Sequence, residues 1–243
     1  MTGSSSRQGH AVLDLVSRRW KGQKIEQLLG LAAGQPPRRL LEIGTGSGGI
    51  AHYFATQAHA SFDVDAVDVE DTRQITEGYR FSLVPSTELP FGSAMFDVVV
   101  TNHVIEHVGE SAAQAAHLRE IHRVTKPEGI VYLAVPNRWM LVEPHYRLPF
   151  LSWLPRRWRS SYVRWSGRGT HYDCEPLTKP ELEAAVRDAG FEARNVSVDA
   201  FRATLAIEGG KGILASWIAR MPDTWLHGLE ALIPTHIYLL RKA

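Results

Sequence analysis

The sequence predicts an α/β fold built on a parallel sheet. Short apolar runs typical of buried strands, at 40–43, 98–100 and 130–135, alternate along the chain with longer stretches of helical periodicity. A glycine-rich turn at 44–49 connects the first of these runs to a predicted helix. This alternation is the pattern of a parallel sheet covered by helices.

Composition narrows the class of protein. The 243 residues are 44% hydrophobic and 22% charged, which is ordinary for a globular domain, and the net charge of +1 gives no global attraction to nucleic acid. The single Cys174 excludes an internal disulfide framework and suits a reducing compartment. No apolar run reaches the ~18 residues of a membrane span. We expect one cytoplasmic domain over 1–243 with a loose polar tail at 1–9.

The N-terminal segment 10–34 has apolar residues at helical spacing. This pattern predicts one or two helices, interrupted near Gly22 and closed by Gly34. The simpler interpretation is a helical cap over a sheet edge, and a lid over an active site is the alternative.

The core segment 38–137 should place several polar residues together. A helix is expected at 47–57, and the strand that follows, at 61–69, ends on Asp68. An acidic residue there is well placed to bind ribose hydroxyls, although it could instead cap the next helix. A helix at 111–124 and a turn at 126–129 precede the strand at 130–135. Ligands of such sheets bind beyond the carboxyl ends of the strands.

The glycine turn alone is ambiguous, because Gly44-x-Gly46-x-x-Gly49 also fits the dinucleotide fingerprint. The wider series of motifs resembles the class I S-adenosylmethionine-dependent methyltransferases, particularly the branch that contains the ubiquinone and menaquinone biosynthetic enzymes. The matching stretches lie at 41–48, 67–68, 88–91, 96–99, 105–108, 118–124 and 126–129. The resemblance implies a Rossmann-like sheet of seven strands, mostly parallel, with helices on both faces and an antiparallel last strand.

The resemblance also implies S-adenosylmethionine as cofactor and S-adenosylhomocysteine as product. Gly44 and Gly46 would let the backbone approach the methionine part while Glu42 orders the turn, and Asp68 would bind the ribose. Many relatives carry, shortly before the 88–91 motif, an Asp that bonds the adenine amino group. This chain has Pro85-Ser86-Thr87 there, so the resemblance does not imply this contact here. The implied cofactor-binding positions are Glu42, Gly44, Thr45, Gly46, Asp68, Val69, Thr87, Glu88, Leu89 and Asn102.

Histidines are the candidate catalytic residues. The sulfonium methyl is already activated, so transfer needs positioning and a deprotonated acceptor, for which histidine is the usual base near neutral pH. His145, His107 and His103 are the candidates, with His171 less favoured, and a structural role is the alternative for each. In some ubiquinone O-methyltransferases a metal is held by Glu-x-x-Glu-His. Here the first glutamate is His103. No metal ligand is assigned, and a divalent ion bound near His103, Glu106 and His107 is the alternative.

An insertion at 138–175 should form the acceptor side of the site. Its 138–172 part contains four tryptophans and seven arginines against the single Glu143. One interpretation is a cap over the substrate cleft, with arginine stems packed on apolar surface. The other is contact with an anionic or lipid-linked acceptor, with peripheral membrane contact through 138–168. Binding of nucleic acid is not expected, since the rest of the chain lacks a basic face.

The C-terminal part, 176–243, should complete the sheet. Thr178 as N-cap and Gly190 after the last turn predict a helix between them. A strand near 193–199, a loop at 209–210, a helix near 211–220 and a last strand near 235–241 follow.

Taken together, the sequence predicts a methyltransferase that moves a methyl group from S-adenosylmethionine to a small-molecule acceptor. The expected site of methylation is an oxygen atom of that acceptor. The acceptor would be a sugar, a phenol or a lipid-linked intermediate. Two alternatives stay open. One is a NAD(P)-dependent oxidoreductase, and the other is a non-catalytic regulator that binds the cofactor.

Overall fold

The computed structural model describes residues 14–31, 38–57, 61–209, 221–228, 230 and 233–243. The predicted tail at 1–9, Gly34, Gly210 and the predicted helix at 211–220 lie outside these ranges. Among the described helices, none combines the length and apolarity needed to cross a bilayer.

The described chain contains nine strands, and seven of them form one sheet. The strands are β1 Arg38–Ile43, β2 Phe62–Asp68, β3 Arg80–Leu83, β4 Phe96–Asn102, β5 Thr125–Pro136, β6 Val142–Glu143, β7 Leu148–Pro149, β8 Phe191–Asn195 and β9 Thr235–Lys242. The sheet order is β3-β2-β1-β4-β5-β9-β8, and β6 pairs separately with β7. Strands β1 to β5 pair in parallel, whereas β9 is antiparallel to both β5 and β8. The predicted fold class is confirmed.

Helices cover both faces of the sheet. They are α1 Leu15–Leu29, α2 Gly49–Thr56, α3 Ser111–Val124, α4 Arg156–Trp165, α5 Lys179–Asp188, α6 Ser197–Glu208 and α7 Asp223–Gly228. One buried cluster joins α1, α2 and α6 to one face, and a second joins α3 and α5 to the other. The strands therefore carry apolar side chains on both faces, as their continuous apolar runs predict.

The parallel register aligns the strand ends that matter for the site. Ile43 at the end of β1 is level with Val67 in β2 and Thr101 in β4, and Asn102 is level with Ala134 in β5. The loops that follow these strands consequently emerge at one edge of the sheet.

The segment predicted as a turn at 126–129 belongs to β5. Phe96 pairs with Thr125 and Val98 with Ile130, so the intervening residues of β5 bulge opposite Asp97. The Lys126 ammonium donates to Asp97 at 2.7 Å. Pro and Gly interrupt the ladder here, but the chain continues in the same direction instead of reversing.

The C-terminal part departs from its prediction at one point. Thr178 and Glu181 form a reciprocal capping box at the start of α5, and Gly190 has a φ of +86°, both as the sequence predicts. The strand predicted near 193–199 instead ends at Asn195. Its side-chain oxygen accepts the N–H of Ser197 at 2.9 Å, and this turn starts α6, which the sequence analysis missed.

The insertion forms a small cap with its own core. The β6–β7 hairpin, a 3₁₀ turn at Leu151–Trp153 and α4 enclose a separate apolar cluster. Arg159 is buried beneath this cap, where its guanidinium donates to the carbonyls of Leu154 and Ser152 at 2.8 and 3.1 Å. One of the seven arginines is thus structural.

Helix α1 runs through Gly22 without interruption and ends at Gly30, whose φ is +62°, rather than at Gly34. Gly22 is required by packing, because an added Cβ would lie 2.5 Å from Cδ1 and 3.0 Å from Cβ of Tyr53 on α2. Tyr53 cannot easily move, since its hydroxyl donates to Glu26 at 2.6 Å.

We therefore expect Gly22→Ala to lower the free energy of unfolding by about 1 kcal/mol or more, because overpacking outweighs the gain in helix propensity. Urea denaturation measures the change. Gly228→Ala is the matched control, since an added Cβ there meets nothing within 4 Å. Equal or greater stability of Gly22→Ala would contradict the packing argument.

Candidate active site

A cavity of about 780 Å³ opens at the edge of the sheet where β1, β2, β4 and β5 end. Its wall combines loops of the core with residues of α1, of the insertion and of the start of β9. Twelve of the thirteen predicted site residues lie in this wall: Glu42, Gly44, Thr45, Gly46, Asp68, Val69, Thr87, Leu89, Asn102, His103, His107 and His145. The cavity is large enough for a cofactor and part of an acceptor.

The glycine turn forms the floor of the cavity. Gly44 has a φ of +81°, and an added Cβ would lie 2.3 Å from Cγ2 of Val104. The N–H groups of Gly44 and Thr45 donate to the carbonyl of Val67, at 2.9 and 3.3 Å, which ties the turn to the end of β2. A side chain at position 44 would therefore close the approach to the backbone.

Glu42 links the last residues of β1 to the helix after the turn. Its buried carboxylate accepts the N–H of Ala51 in the first turn of α2 at 3.0 Å. Burial raises the pKa of Glu42 to about 8, although the Ala51 N–H and Arg18 partly oppose this shift. Glu42 thus connects the end of β1 to the helix that follows the glycine turn.

Asp68 is held by the same turn. Its Oδ2 accepts the N–H of Gly46 at 2.9 Å and its Oδ1 accepts the N–H of Val69 at 2.7 Å. Each carboxylate oxygen has a second lone pair, and the residue lines the cavity. Asp68 is therefore oriented by backbone donors while it keeps acceptor capacity for a ligand hydroxyl.

The 85–89 segment closes the side of the cavity next to β2. Thr87 and Leu89 line the wall, and the N–H of Leu89 is anchored by Glu120 Oε2 at 2.9 Å. Glu88 departs from its prediction, because it is exposed and absent from the wall. Its N–H donates to Ser86 Oγ at 3.2 Å within a tight turn, with Leu89 buried and Glu88 facing solvent.

Helix α1 supplies two cations that the sequence analysis did not single out. Arg18 and Lys21, one turn apart, both reach the cavity wall. Within the described chain neither forms an ion pair with a carboxylate. Burial lowers the pKa of both, and that of Lys21 to about 7, with Lys24 and Arg18 adding to the effect. Their i, i+3 spacing places them on one helix face, but only the packed position of α1 directs that face toward the cavity.

His103 and Glu106 form a pair at the end of β4. His103 has a φ of +60°, and its Nδ1 lies 3.3 Å from Oε1 of the fully buried Glu106. Burial lowers the pKa of His103. Burial alone would raise the pKa of Glu106, but His103 and His107 outweigh it, so the carboxylate pKa lies below its usual range.

His145 belongs to the insertion, and its side chain lines the same cavity as the residues of the core. Its Nδ1 lies 2.7 Å from Oε1 of the buried Glu143, whose other oxygen accepts the N–H of Tyr146 at 2.7 Å. Burial alone would lower the pKa of His145, but Glu143 and neighbouring carboxylates raise it overall. The ring of His107 lies edge-on to it, with ring centroids 5.2 Å apart. His171, by contrast, is exposed and contacts Ser160 outside the wall.

Comparison with known proteins agrees with this geometry. A family model described as "Methyltransferase domain" matches residues 15–196. A ubiquinone biosynthesis O-methyltransferase of Azorhizobium caulinodans is 30% identical over 161 residues, 63% of this chain and 58% of that protein. A ubiquinone/menaquinone biosynthesis C-methyltransferase of Ralstonia nicotianae is 26% identical over 200 residues, which are 78% and 79% of the two chains. The chain spans little more than half of the first of these relatives.

Solved structures agree on the fold. The 1,6-didemethyltoxoflavin N1-methyltransferase of Burkholderia thailandensis, crystallised with S-adenosylhomocysteine, superposes with a TM-score of 0.53 at 21% identity, over 95% of this chain and 80% of that one. The [4+2]-cyclase SpnF gives 0.55 at 19% identity, over 98% and 84%. A fold alone does not set the reaction, and the comparisons give no support to a nicotinamide enzyme. Because the family model extends from the start of α1 to the end of β8, the chain belongs to the S-adenosylmethionine-dependent methyltransferases.

Proposed function

We propose that this chain transfers a methyl group from S-adenosylmethionine to a hydroxyl oxygen of a lipid-linked phenolic acceptor. The observation that carries the proposal is the acceptor-side wall of the cavity. There His145, backed by buried Glu143, lies beside an exposed apolar surface of the insertion. The printed names of the ubiquinone-biosynthesis relatives are consistent with such an acceptor.

The core side of the cavity holds the cofactor in this proposal. Asp68 binds the ribose hydroxyls, and Val69, Thr87 and Leu89 border the adenine. The methionyl part lies over the turn at 44–46 with Asn102 facing it. In this arrangement Glu42 does not touch the cofactor but fixes the turn through the Ala51 N–H.

The carboxylate of the methionyl part is bound by Arg18 and Lys21. A cavity with two cations that form no ion pair within the described chain attracts an anionic group, and the methionyl carboxylate is the anionic group that the cofactor always carries. Glu42, whose carboxyl accepts a backbone N–H below the turn, interacts electrostatically with Arg18 without forming an ion pair. Helix α1 therefore acts both as a cover for the sheet and as a wall of the site.

The acceptor hydroxyl loses its proton to His145. Glu143 orients the imidazole by accepting from Nδ1–H, and in this tautomer Nε2 carries the lone pair that accepts the hydroxyl proton. His107 packs against this ring and fixes its position, and His103 forms the neighbouring wall with Glu106. Methyl transfer from the sulfonium then requires in-line alignment of the two substrates, which the cavity walls provide.

The acceptor reaches the cavity from a membrane surface. An exposed apolar surface, here called the aromatic rim, consists of Trp139, Leu141, Val142, Phe150 and Trp153. Its rings contact each other, with centroids of Trp139 and Phe150 lying 5.6 and 5.2 Å from that of Trp153. Val142 also lines the cavity, so the rim continues into the site.

Cations flank the aromatic rim. The Arg138 guanidinium lies over the Trp139 ring at 5.7 Å, and Arg157 lies over Trp158 at 5.1 Å. Aromatic and leucine side chains beside arginines are the composition of an interfacial membrane contact with anionic lipid. The rim and these arginines therefore favour a lipid surface over a soluble protein partner.

Asp68→Ala should weaken S-adenosylhomocysteine binding by about tenfold or more, because the variant loses ribose contacts and two backbone bonds of the turn. Calorimetric titration measures the affinity, and NAD serves as the control ligand that should not bind. Asp71→Ala, an exposed carboxylate paired with Arg73, is the matched control and should bind normally. Undiminished binding by Asp68→Ala, or preference for NAD, would refute the cofactor assignment.

His145→Ala should lower kcat by ~100-fold or more through loss of general-base catalysis, while S-adenosylhomocysteine affinity stays within about twofold of the parent. Turnover is measured with hydroquinone and catechol derivatives that carry isoprenoid chains, and mass spectrometry separates O-methyl from C-methyl products. His171→Ala should retain full turnover. Equal losses of turnover and cofactor affinity would exclude His145 as the base.

Cofactor affinity should fall as pH rises above about 7. A carboxylate binds the protonated Lys21, whose pKa in the free protein is about 7, so the proton must be taken up on binding at higher pH. We expect a decrease of up to about tenfold per pH unit between pH 7 and 9. Titration of Lys21→Met with S-adenosylhomocysteine should show a flatter profile, and an unchanged profile would contradict this contact.

Leu141→Ser combined with Phe150→Ser should reduce partition onto phosphatidylglycerol vesicles by about tenfold or more, since each side chain buries apolar area in the interface. Vesicle co-sedimentation measures the partition. Trp225→Ser, an equally exposed aromatic on α7, is the control. Salt should weaken binding by screening the arginines. Equal partition of the double variant and the parent would refute the membrane contact.

A further inference from the structure

Three metal-ligating side chains meet where the insertion closes over the core. One ligand atom from each of His107, His145 and Cys174 lies within 4.8 Å of the others. The Cys174 sulfur is 3.7 Å from His107 Nδ1 and 4.0 Å from His145 Nδ1. His107 follows β4, whereas the other two belong to the insertion, so the cluster exists only when the cap is folded onto the sheet.

Carboxylates surround this cluster. Glu143 Oε1 lies 2.7 Å from His145 Nδ1, Asp173 Oδ1 lies 3.7 Å from the sulfur, and Glu106 Oε1 lies 4.0 Å from His107 Nε2. Glu106 is fully buried, and neither of its oxygens receives a hydrogen bond of good geometry. In the described chain, no lysine or arginine lies within 4 Å of the carboxylate of Glu106 or Glu143. Among the described residues, only histidines lie within 4 Å of these two buried carboxylates.

We propose that His107, His145 and Cys174 form a binding site for a thiophilic divalent cation of the zinc class. Two imidazoles and a thiolate are ligands that zinc prefers, and three protein ligands leave a fourth position open. Tetrahedral zinc places nitrogen and sulfur ligands about 3.6 Å apart, close to the 3.7 Å between His107 Nδ1 and the sulfur.

Glu143 completes the arrangement. The nitrogen of His145 that lies 4.0 Å from the sulfur is Nδ1, so a cation bound there takes the place of the Nδ1 proton, and the neutral ring carries its proton on Nε2. Oε1 of Glu143 lies 2.7 Å from the same nitrogen, so its negative charge also attracts the cation. The cation would also add to the compensation that His103 gives to the buried charge of Glu106. Apolar packing against Tyr146 and Tyr172 explains a buried thiol, but it does not explain a buried, poorly bonded carboxylate beside it.

A bound ion would control the reaction. This step rests on the proposed function, in which His145 Nε2 accepts the acceptor proton. A ring that binds the ion through Nδ1 already carries a proton on Nε2 and cannot accept another, so the cation inhibits methyl transfer. It leaves cofactor binding intact, because Asp68 and the glycine turn lie on the core side of the cavity.

The first experiment is a titration of chelator-treated protein with Co²⁺, followed by the charge-transfer absorption of a cobalt–thiolate bond. We expect this band to saturate at one ion per chain and to disappear in Cys174→Ser. His107→Gln should also lose tight Co²⁺ binding. This second variant tests the site even if Cys174→Ser does not fold. His171→Ala, another histidine of the insertion, should behave as the parent. Glu143→Gln should weaken binding by about 10- to 100-fold.

Zn²⁺ is then added to methyl-transfer and S-adenosylhomocysteine-binding assays. Turnover of the chelator-treated, metal-free protein should fall as Zn²⁺ is added and should recover on chelation, with cofactor affinity unchanged. Absence of the thiolate band, or equal Co²⁺ affinity in the parent and both ligand variants, would overturn the site. A saturating band without cofactor binding would uphold the site and reject the proposed function. Higher turnover with Zn²⁺ would overturn the inhibitory role.

Discussion

The parallel register of β1 with β2 and β4 is the constraint on which the rest of the molecule depends. It brings Ile43, Val67 and Thr101 level with one another, so that loops from distant parts of the chain start at one edge of the sheet. The turn after β1 then bonds to the carbonyl of Val67 and to Asp68. A shift of one residue would exchange side chains between the two covered faces of the sheet, so the packing of the core and the geometry of the site are set together.

The site is assembled from two structural units with different tasks. The core supplies a rigid turn and an acidic residue whose orientation is fixed by backbone donors. The insertion supplies His145, Glu143 and the aromatic rim, and it rests on its own small apolar cluster. Charges at the junction are removed from water, as Glu106 and Glu143 show. Burial of carboxylates costs stability unless they are compensated, and their location around one cavity indicates that the compensation comes from histidines and bound groups.

The sequence predicted elements wherever local signals were strong. Helix α3 has the predicted bounds of 111–124, because its apolar periodicity is regular, and α5 begins at its capping box. The failures have local causes too. The Asn195 side chain ends β8 early by bonding to Ser197. Gly22 was interpreted as a break, yet it serves close contact with Tyr53 inside a continuous helix. Periodicity does not distinguish a glycine that ends a helix from one that packing requires.

By itself, the sequence determined the class of the sheet, the presence of the glycine turn, the position of Asp68 at the end of β2 and the family. These features depend on short motifs and on their spacing along the chain. Only the tertiary structure decided that Arg18 and Lys21 face the cavity, that Glu88 does not, and that Cys174 lies against His107. Such contacts join residues that are tens of positions apart. Their distances follow from the crossing of α1 over α2 and from the closure of the insertion onto β4, and neither packing arrangement has a signature in local sequence.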